Sequence, residues 1–139
     1  MKIEKIIKEF MEKGEITDFE LRGDKRIFVR IKPEKLKSVI EKLVSSGFRH
    51  LITITGVDVG NEIELLYHLS MGGRIVSVRT LVPKDKPIIA TITDIIPGAI
   101  LYEREVHDLI GVIFEGCNNL SRLVLSEDWP DNIYPLRRH

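Results

Sequence analysis

Five ionisable residues crowd one short stretch of the sequence: Glu103, Arg104, Glu105, His107 and Asp108. Carboxylates beside an imidazole are typical of general acid–base catalysis, so a stand-alone acid/base enzyme using Glu105, His107 and Asp108 is one hypothesis. On a helix, however, Glu103 and Glu105 point about 200° apart and cannot flank one substrate. Surface ion pairs, such as Arg104 with Asp108, are the simplest interpretation. Contacts with charged groups of another subunit are the third.

The remaining reactive residue types show no spacing that indicates a site. The chain has one cysteine, Cys117, which excludes an internal disulfide, a four-cysteine iron–sulfur cluster and a thiolate zinc site. His50 and His68 lack metal-ligand spacing, and Gly72-Gly73 stands between two predicted strands rather than before a helix, as a phosphate loop would. We therefore expect this chain to bind no cofactor or metal.

Trp129 stands in an irregular C-terminal stretch, with Asp128 before it and Pro130 after it. Tryptophan is favoured as an anchor at protein interfaces, but this one could equally fold back to cap the sheet. Both interpretations stay open.

Composition limits the classes of function. The chain has 139 residues, of which 43% are hydrophobic, and its 21 basic and 21 acidic residues give a formal net charge of zero. This indicates one folded domain and argues against a general nucleic-acid binder, which usually carries a positive excess. Only Phe28, between Arg26 and Arg30, suggests a nucleic-acid-binding sheet. The apolar runs are too short to span a membrane, so we expect a soluble intracellular chain.

Hydrophobic periodicity predicts an α+β fold. Apolar spacing indicates a helix over residues 3–11, ended by Gly14, and a helix from Pro33 to Gly47. Residues 15–21 and 48–59 (carrying Ile52 and Ile54) are predicted strands, and alternation predicts further strands over 26–31, 62–71 and 75–82, with tight turns at Gly23-Asp24, Gly60-Asn61 and Gly72-Gly73. We expect a two-layer sandwich of a mainly antiparallel sheet with helices on one face.

The pattern changes after Pro83. A polar connection leads to a predicted helix from Ala99 to about Ile110, ended by Gly111, and the chain to His139 then lacks periodicity. Such an extended irregular C-terminal tail either stays loose or lies along a partner. We divide this single domain into an α+β core (1–97) and a helix with a partner-embracing tail (98–139).

The stretch from Tyr102 to Gly116, YEREVHDLIGVIFEG, resembles the signature of the thirty-kilodalton (C) subunit of respiratory complex I. That family includes the corresponding subunits of membrane-bound, energy-converting nickel–iron hydrogenases. Further stretches are similar to family motifs: Thr55-Gly56-Val57-Asp58, Tyr67-His68-Leu69, Leu120-Ser121-Arg122, Asp128-Trp129 and Pro135-Leu136-Arg137-Arg138.

Two features depart from the family pattern. Gly116-Cys117-Asn118 stands where the family commonly has G-H-P, and an insertion, Pro130 to Tyr134, separates two of the motifs. Together with the short stretch after Arg138, these departures favour a hydrogenase-type or archaeal variant.

The resemblance implies a non-catalytic structural subunit in the peripheral arm of a hydrogenase or a complex I-like dehydrogenase. Such a subunit sits beside a hydrogenase-like large subunit and an iron–sulfur small subunit, which carry the clusters and, in a hydrogenase, the NiFe centre. It meets the cytoplasmic face of the membrane only through the complex and binds no nucleic acid. The subunit-interface residues would be Glu103, Arg104, Glu105, Asp108, Arg122, Asp128, Trp129, Arg137 and Arg138.

Overall fold

The computed structural model describes residues 3–23 and 25–116. The helices are α1 (Ile3–Glu12), α2 (Leu36–Ser45, entered through a short 3-10 turn at Pro33–Lys35) and α3 (Ala99–Ile110). The strands are β1 (Asp18–Arg22), β2 (Arg26–Arg30), β3 (His50–Asp58), β4 (Glu62–Met71), β5 (Arg74–Pro83), β6 (Ile88–Ala90) and β7 (Ile113–Glu115). The prediction for α3 is confirmed at both ends.

The main sheet has the strand order β1-β2-β5-β4-β3. Neighbouring strands are antiparallel except β2 and β5, which run parallel. The parallel pair arises because α2 carries the chain from β2 to the far edge of the sheet, from which two successive hairpins fold back toward β2. The mainly antiparallel sheet is therefore confirmed, and the parallel pairing is a feature that local periodicity does not encode.

The core lies between one face of this sheet and the helices. The inward residues of β4 are fully buried, and so are four apolar residues of α2: Ile63, Leu65, Tyr67, Leu69, Leu36, Val39, Ile40 and Leu43. Each such side chain contributes roughly 1.5–3 kcal/mol on burial. The predicted two-layer α+β sandwich is confirmed.

Strand β3 does not alternate strictly between the two faces of the sheet. A bulge lies between Leu51 and Thr53, so one extra residue interrupts the pairing with β4. As a result Leu51 and Ile54 are buried, whereas Ile52 is 37% exposed. Ile52 and Ile54 therefore do not share a face, because a single inserted residue moves a side chain to the other face.

The pair β6 and β7 forms a second, parallel sheet that the sequence did not predict. Each strand has three residues. Strands of three residues are too short to show a hydrophobic periodicity in the sequence, and α3 separates the two strands along the chain. Their position nevertheless decides the environment of α3.

His68 makes the stability of the fold depend on pH. It lies on the sheet face opposite the helices, with Nδ1 2.7 Å from Ser77 Oγ. Burial, and then the charge of Arg26, lower its pKa below the ordinary 6.5. The unfolded chain therefore binds the proton more readily, so we expect stability to fall as the pH drops from 7 to 5.

Urea unfolding of wild type and His68→Gln at both pH values measures this effect. The variant should lose part of the acid sensitivity, while the control His50→Gln, at an exposed position in β3, should keep the wild-type profile. Equal pH profiles for wild type and His68→Gln would contradict the assignment.

Candidate functional site

The glycine that ends α3 also fixes the ring of a nearby histidine. Gly111 adopts the left-handed conformation (φ 84°), and its N–H donates to His107 O at 2.9 Å. The chain then turns so that His107 Nδ1 lies 2.9 Å from the carbonyl oxygen of Val112. Because a carbonyl only accepts, Nδ1 is the protonated nitrogen in this arrangement. His107 thus secures the end of α3.

Glu103 joins α3 to the segment that follows β6. Its side chain is fully buried, accepting hydrogen bonds from Thr91 Oγ1 at 2.5 Å and from the backbone N–H of Ile92 at 2.9 Å. Asp108 is also buried. Surface ion pairs, the simplest interpretation of this stretch, are therefore the wrong description of Glu103 and Asp108, because both side chains are buried.

The residues around Thr91 extend this connection to β7. The N–H of Thr91 donates to Glu115 O at 2.9 Å, and its hydroxyl lies 2.9 Å from that of Thr93. A Cβ at Gly116 would stand 3.2 Å from the Thr91 methyl group.

Burial, and then the nearby Glu103 carboxylate, raise the pKa of Tyr67 well above its usual range. One buried carboxylate thus connects α3 to the β6–β7 sheet and lies close enough to the main core to act on Tyr67.

Gly56 allows α3 to pack directly on β3. A Cβ at this position would lie 3.1 Å from a methyl carbon of Val106 and 3.1 Å from one of Ile110. Nearby, Asp58 is buried, forms an ion pair with Lys84 at 2.7 Å and accepts the N–H of Gly60 at 2.9 Å. Gly56 therefore allows the close packing of α3 on β3, and Asp58 stabilises the end of β3.

The opposite side of α3 faces outward. Leu101 is 53% exposed, Glu105 is exposed and Leu109 is half-buried. We call these three residues, spaced four apart, the α3 strip. Glu105 and Leu109 line a cleft against β3, whose wall includes Thr53 and Thr55. An exposed apolar residue beside a carboxylate is typical of an interaction surface.

The sequence-predicted site residues fall into different environments. Glu103 and Asp108 are buried, Arg104 is half-buried and Glu105 is exposed. The expected divergence of Glu103 and Glu105 is confirmed. The remaining candidates (Arg122, Asp128, Trp129, Arg137 and Arg138) lie outside the described residues, as does Cys117.

The three residues of the acid/base hypothesis do not converge on one cleft. Glu105 points outward, Asp108 is buried, and His107 is held against the Val112 carbonyl. Within residues 3–23 and 25–116, no group of three His, Cys, Asp or Glu side chains is arranged to hold a metal ion. Over the same ranges, no helix is long and apolar enough to cross a membrane.

Sequence reasoning missed Thr91 and Ile92, the partners of Glu103. They lie in a stretch without periodicity, and nothing local links them to a glutamate eleven or twelve positions away. The one available signal was indirect, since a glutamate on the apolar side of a helix needs a buried donor.

Comparison with known proteins gives concordant results. The family described as respiratory-chain NADH dehydrogenase, 30 Kd subunit, matches residues 29–139. The chain is 32% identical over 122 residues to membrane-bound hydrogenase subunit beta of Pyrococcus furiosus, covering 83% of this chain and 70% of that protein. It is 35% identical over 127 residues to the C subunit of NADH-quinone oxidoreductase from a Roseiflexus species, covering 86% and 71% respectively.

A solved structure shows the same fold. A chain in the membrane-bound sulfane sulfur reductase, an archaeal respiratory membrane complex, superposes with a TM-score of 0.85 at 34% sequence identity. The match covers 99% of this chain and 84% of that chain. The relatives are thus subunits of membrane-associated oxidoreductase complexes of the complex I and hydrogenase types.

Proposed function

We propose that this chain is a non-catalytic assembly subunit of a membrane-bound oxidoreductase complex. The premise is that it belongs to the family of the 30 kDa subunit of respiratory-chain NADH dehydrogenase. The complex is an energy-converting hydrogenase or an NADH:quinone oxidoreductase-like enzyme. The chain positions the hydrogenase-like large subunit and the iron–sulfur subunit for electron transfer at the cytoplasmic face of the membrane. It binds no cofactor itself, since the clusters and any NiFe centre belong to its partners.

The observation that carries this proposal is the difference between the buried inner side and the exposed outer side of α3. Its inner side is fixed by Glu103 and by close packing on Gly56, whereas its outer side presents Leu101 and Glu105. A rigidly seated helix with an exposed apolar and acidic strip supports a docking role, because little side-chain or backbone freedom is lost when a partner binds. Glu103 and Asp108 act here as positioning residues, and Glu105 as a contact residue.

Substitution of Leu101 tests the docking role. With an affinity tag on the chain in its native source, Leu101→Ser should reduce recovery of the large and iron–sulfur subunits about tenfold, as for the loss of a central apolar contact. Met11→Ser, at a similarly exposed apolar position on α1, should leave recovery unchanged. Recovery of wild type only as a free monomer would overturn the proposed function.

Glu105→Gln separates this proposal from the acid/base enzyme. A scaffold should show weaker partner recovery, with residual activity in proportion to the complex that remains. Full assembly with lost turnover would favour the enzyme instead.

A further inference from the structure

The sheet face opposite the helices carries a row of arginines beside an aromatic ring. Because Ile27 and Val29 point into the core, their neighbours Phe28 and Arg30 point away from it. Across the sheet, Arg30 lies beside Arg79 of β5, and Arg79 beside Leu66 of β4. No described helix covers these residues, and the motif Arg26-Phe28-Arg30 plays no part in the α3 site.

These side chains border a cleft of about 250 Å³. Phe28 and Leu66 supply apolar walls, and Arg30, Arg79 and Glu64 supply charge. The guanidinium of Arg22 stands over the Phe28 ring at 4.6 Å from its centroid. The cleft therefore combines apolar surface with several hydrogen-bond donors.

The acidic groups at this cleft all have partners within the chain. Glu64 pairs with Arg79 at 2.5 Å, and Glu20 pairs with Arg22 at 3.3 Å. Asp18 accepts the N–H of Phe19 at 2.8 Å. Glu64 and Glu20 are thus paired with arginines, and one oxygen of Asp18 is held by a backbone N–H.

The positive charges are not all compensated. Neither the Arg30 nor the Arg26 side chain forms a hydrogen bond or ion pair with any described residue. Arg30 stands directly beside Arg79, and like charges opposite each other destabilise a sheet. The Nε of Arg79 is also buried without a hydrogen-bond partner among the described residues. The Arg30 guanidinium and the Nε of Arg79 are therefore the donors in this cleft that an incoming anion can use.

We infer that this cleft docks an acidic segment of a neighbouring protein subunit, with an Asp or Glu carboxylate between the guanidinium groups of Arg30 and Arg79. An apolar residue next to that carboxylate packs against Phe28 and Leu66. Arginine forks suit carboxylates because they donate two parallel, charge-assisted hydrogen bonds. The inference rests on the proposed function in taking the chain to be a subunit, and it adds a second interface on the far side of the sheet from α3.

A protein segment fits better than a nucleic acid. A nucleic acid carries one negative charge per nucleotide and would also meet the carboxylates of Asp18, Glu20 and Glu64 that border the cleft, whereas a protein segment can place a single carboxylate at Arg30 and Arg79. The formal net charge of zero also gives no general attraction for nucleic acid.

Cross-linking identifies the occupant. The photoreactive amino acid p-benzoylphenylalanine replaces Phe28 in the tagged chain, and the complex is irradiated in the native source. The attached peptide should come from another subunit and contain Asp or Glu. The same group at Leu21, an exposed position on the other face of the same hairpin, is the control and should not capture that peptide. Capture of RNA, of a second copy of this chain, or of no acidic segment would overturn the inference.

Charge reversal measures the contact. Arg30→Glu should weaken retention of that neighbour on the order of tenfold, whereas Lys35→Glu, the same charge change at an exposed position in the 3-10 turn, should not. Circular dichroism of the purified variant checks that it is folded. If Arg30→Glu leaves the complex unchanged while Leu101→Ser disrupts it, only the sheet-face inference fails; a wild-type chain without any partner overturns both proposals.

Discussion

Replacing Glu103 by Ala should lower the free energy of unfolding by about 2–4 kcal/mol, because two buried donors then lose their acceptor. Those donors are the Thr91 hydroxyl and the Ile92 N–H. Both lie where no solvent can replace the lost bonds, since Thr91 is only 5% and Ile92 0% exposed. Urea unfolding of the full chain gives the change directly.

The conservative variant and a local probe sharpen this prediction. Glu103→Gln should cost only about 1 kcal/mol, since the amide oxygen can still accept from Ile92 and the Thr91 hydroxyl can accept from the amide. Hydrogen exchange at the Ile92 amide should accelerate on the order of tenfold or more in Glu103→Ala.

The chain offers a matched control on the same helix. Glu105→Ala removes the same side chain from an exposed position, so its unfolding free energy should stay within about 0.5 kcal/mol of wild type. If Glu105→Ala were as destabilising as Glu103→Ala, or if Glu103→Ala were neutral, the buried hydrogen bonds would not be what fixes α3.

Replacing Gly56 by Val should cost about 2–3 kcal/mol and push α3 away from the sheet. A Cβ alone already meets methyl carbons of Val106 and Ile110 at 3.1 Å, and we expect the two further methyl groups of valine to add to this crowding. Gly56→Ala should cost less, about 1 kcal/mol, because a shift of a few tenths of an ångström relieves one added carbon. Thermal and urea unfolding measure both variants.

The crowding between Gly56 and Val106 also predicts the effect of a double substitution. Adding Val106→Ala to Gly56→Ala removes one of the two clashing methyl groups, so the costs of the two substitutions should be less than additive. Gly98→Ala is the control, because a Cβ there meets nothing and the backbone φ of −63° is ordinary for alanine. Full additivity, or a neutral Gly56→Val, would contradict the close seating of α3.

Both substitutions also bear on the proposed function. Each disturbs the inner side of α3 without touching the α3 strip, so partner recovery should fall in step with the loss of stability. Leu101→Ser differs in this respect, since it should weaken recovery while leaving the unfolding free energy nearly unchanged. The combination separates residues that seat the helix from residues that contact a neighbour.

Much of the fold was readable from local pattern. The alternation of β2 and the apolar stripe of α2 are confirmed, because a period over several residues reflects one buried face. The limits of α3 are confirmed because its end depends on a single residue, Gly111, whose left-handed conformation is cheap only for glycine. The family resemblance likewise rested on contiguous motifs.

Other features depend on contacts between distant segments. The bulge that exposes Ile52 is set by pairing with β4, and the β6–β7 pair forms only when α3 brings its two strands together. Gly56 has no local signature in a strand, since its role is defined by the side chains of Val106 and Ile110 fifty or more positions away.

The sequence by itself determined the α+β class, the position of the ERE helix and the opposite directions of Glu103 and Glu105, because helical geometry fixes the angle between two residues of one helix. Only the tertiary structure decided which of the two glutamates is buried. That choice depends on whether donors such as Thr91 and Ile92 arrive at one side of the helix, and a buried carboxylate is tolerated only where they do.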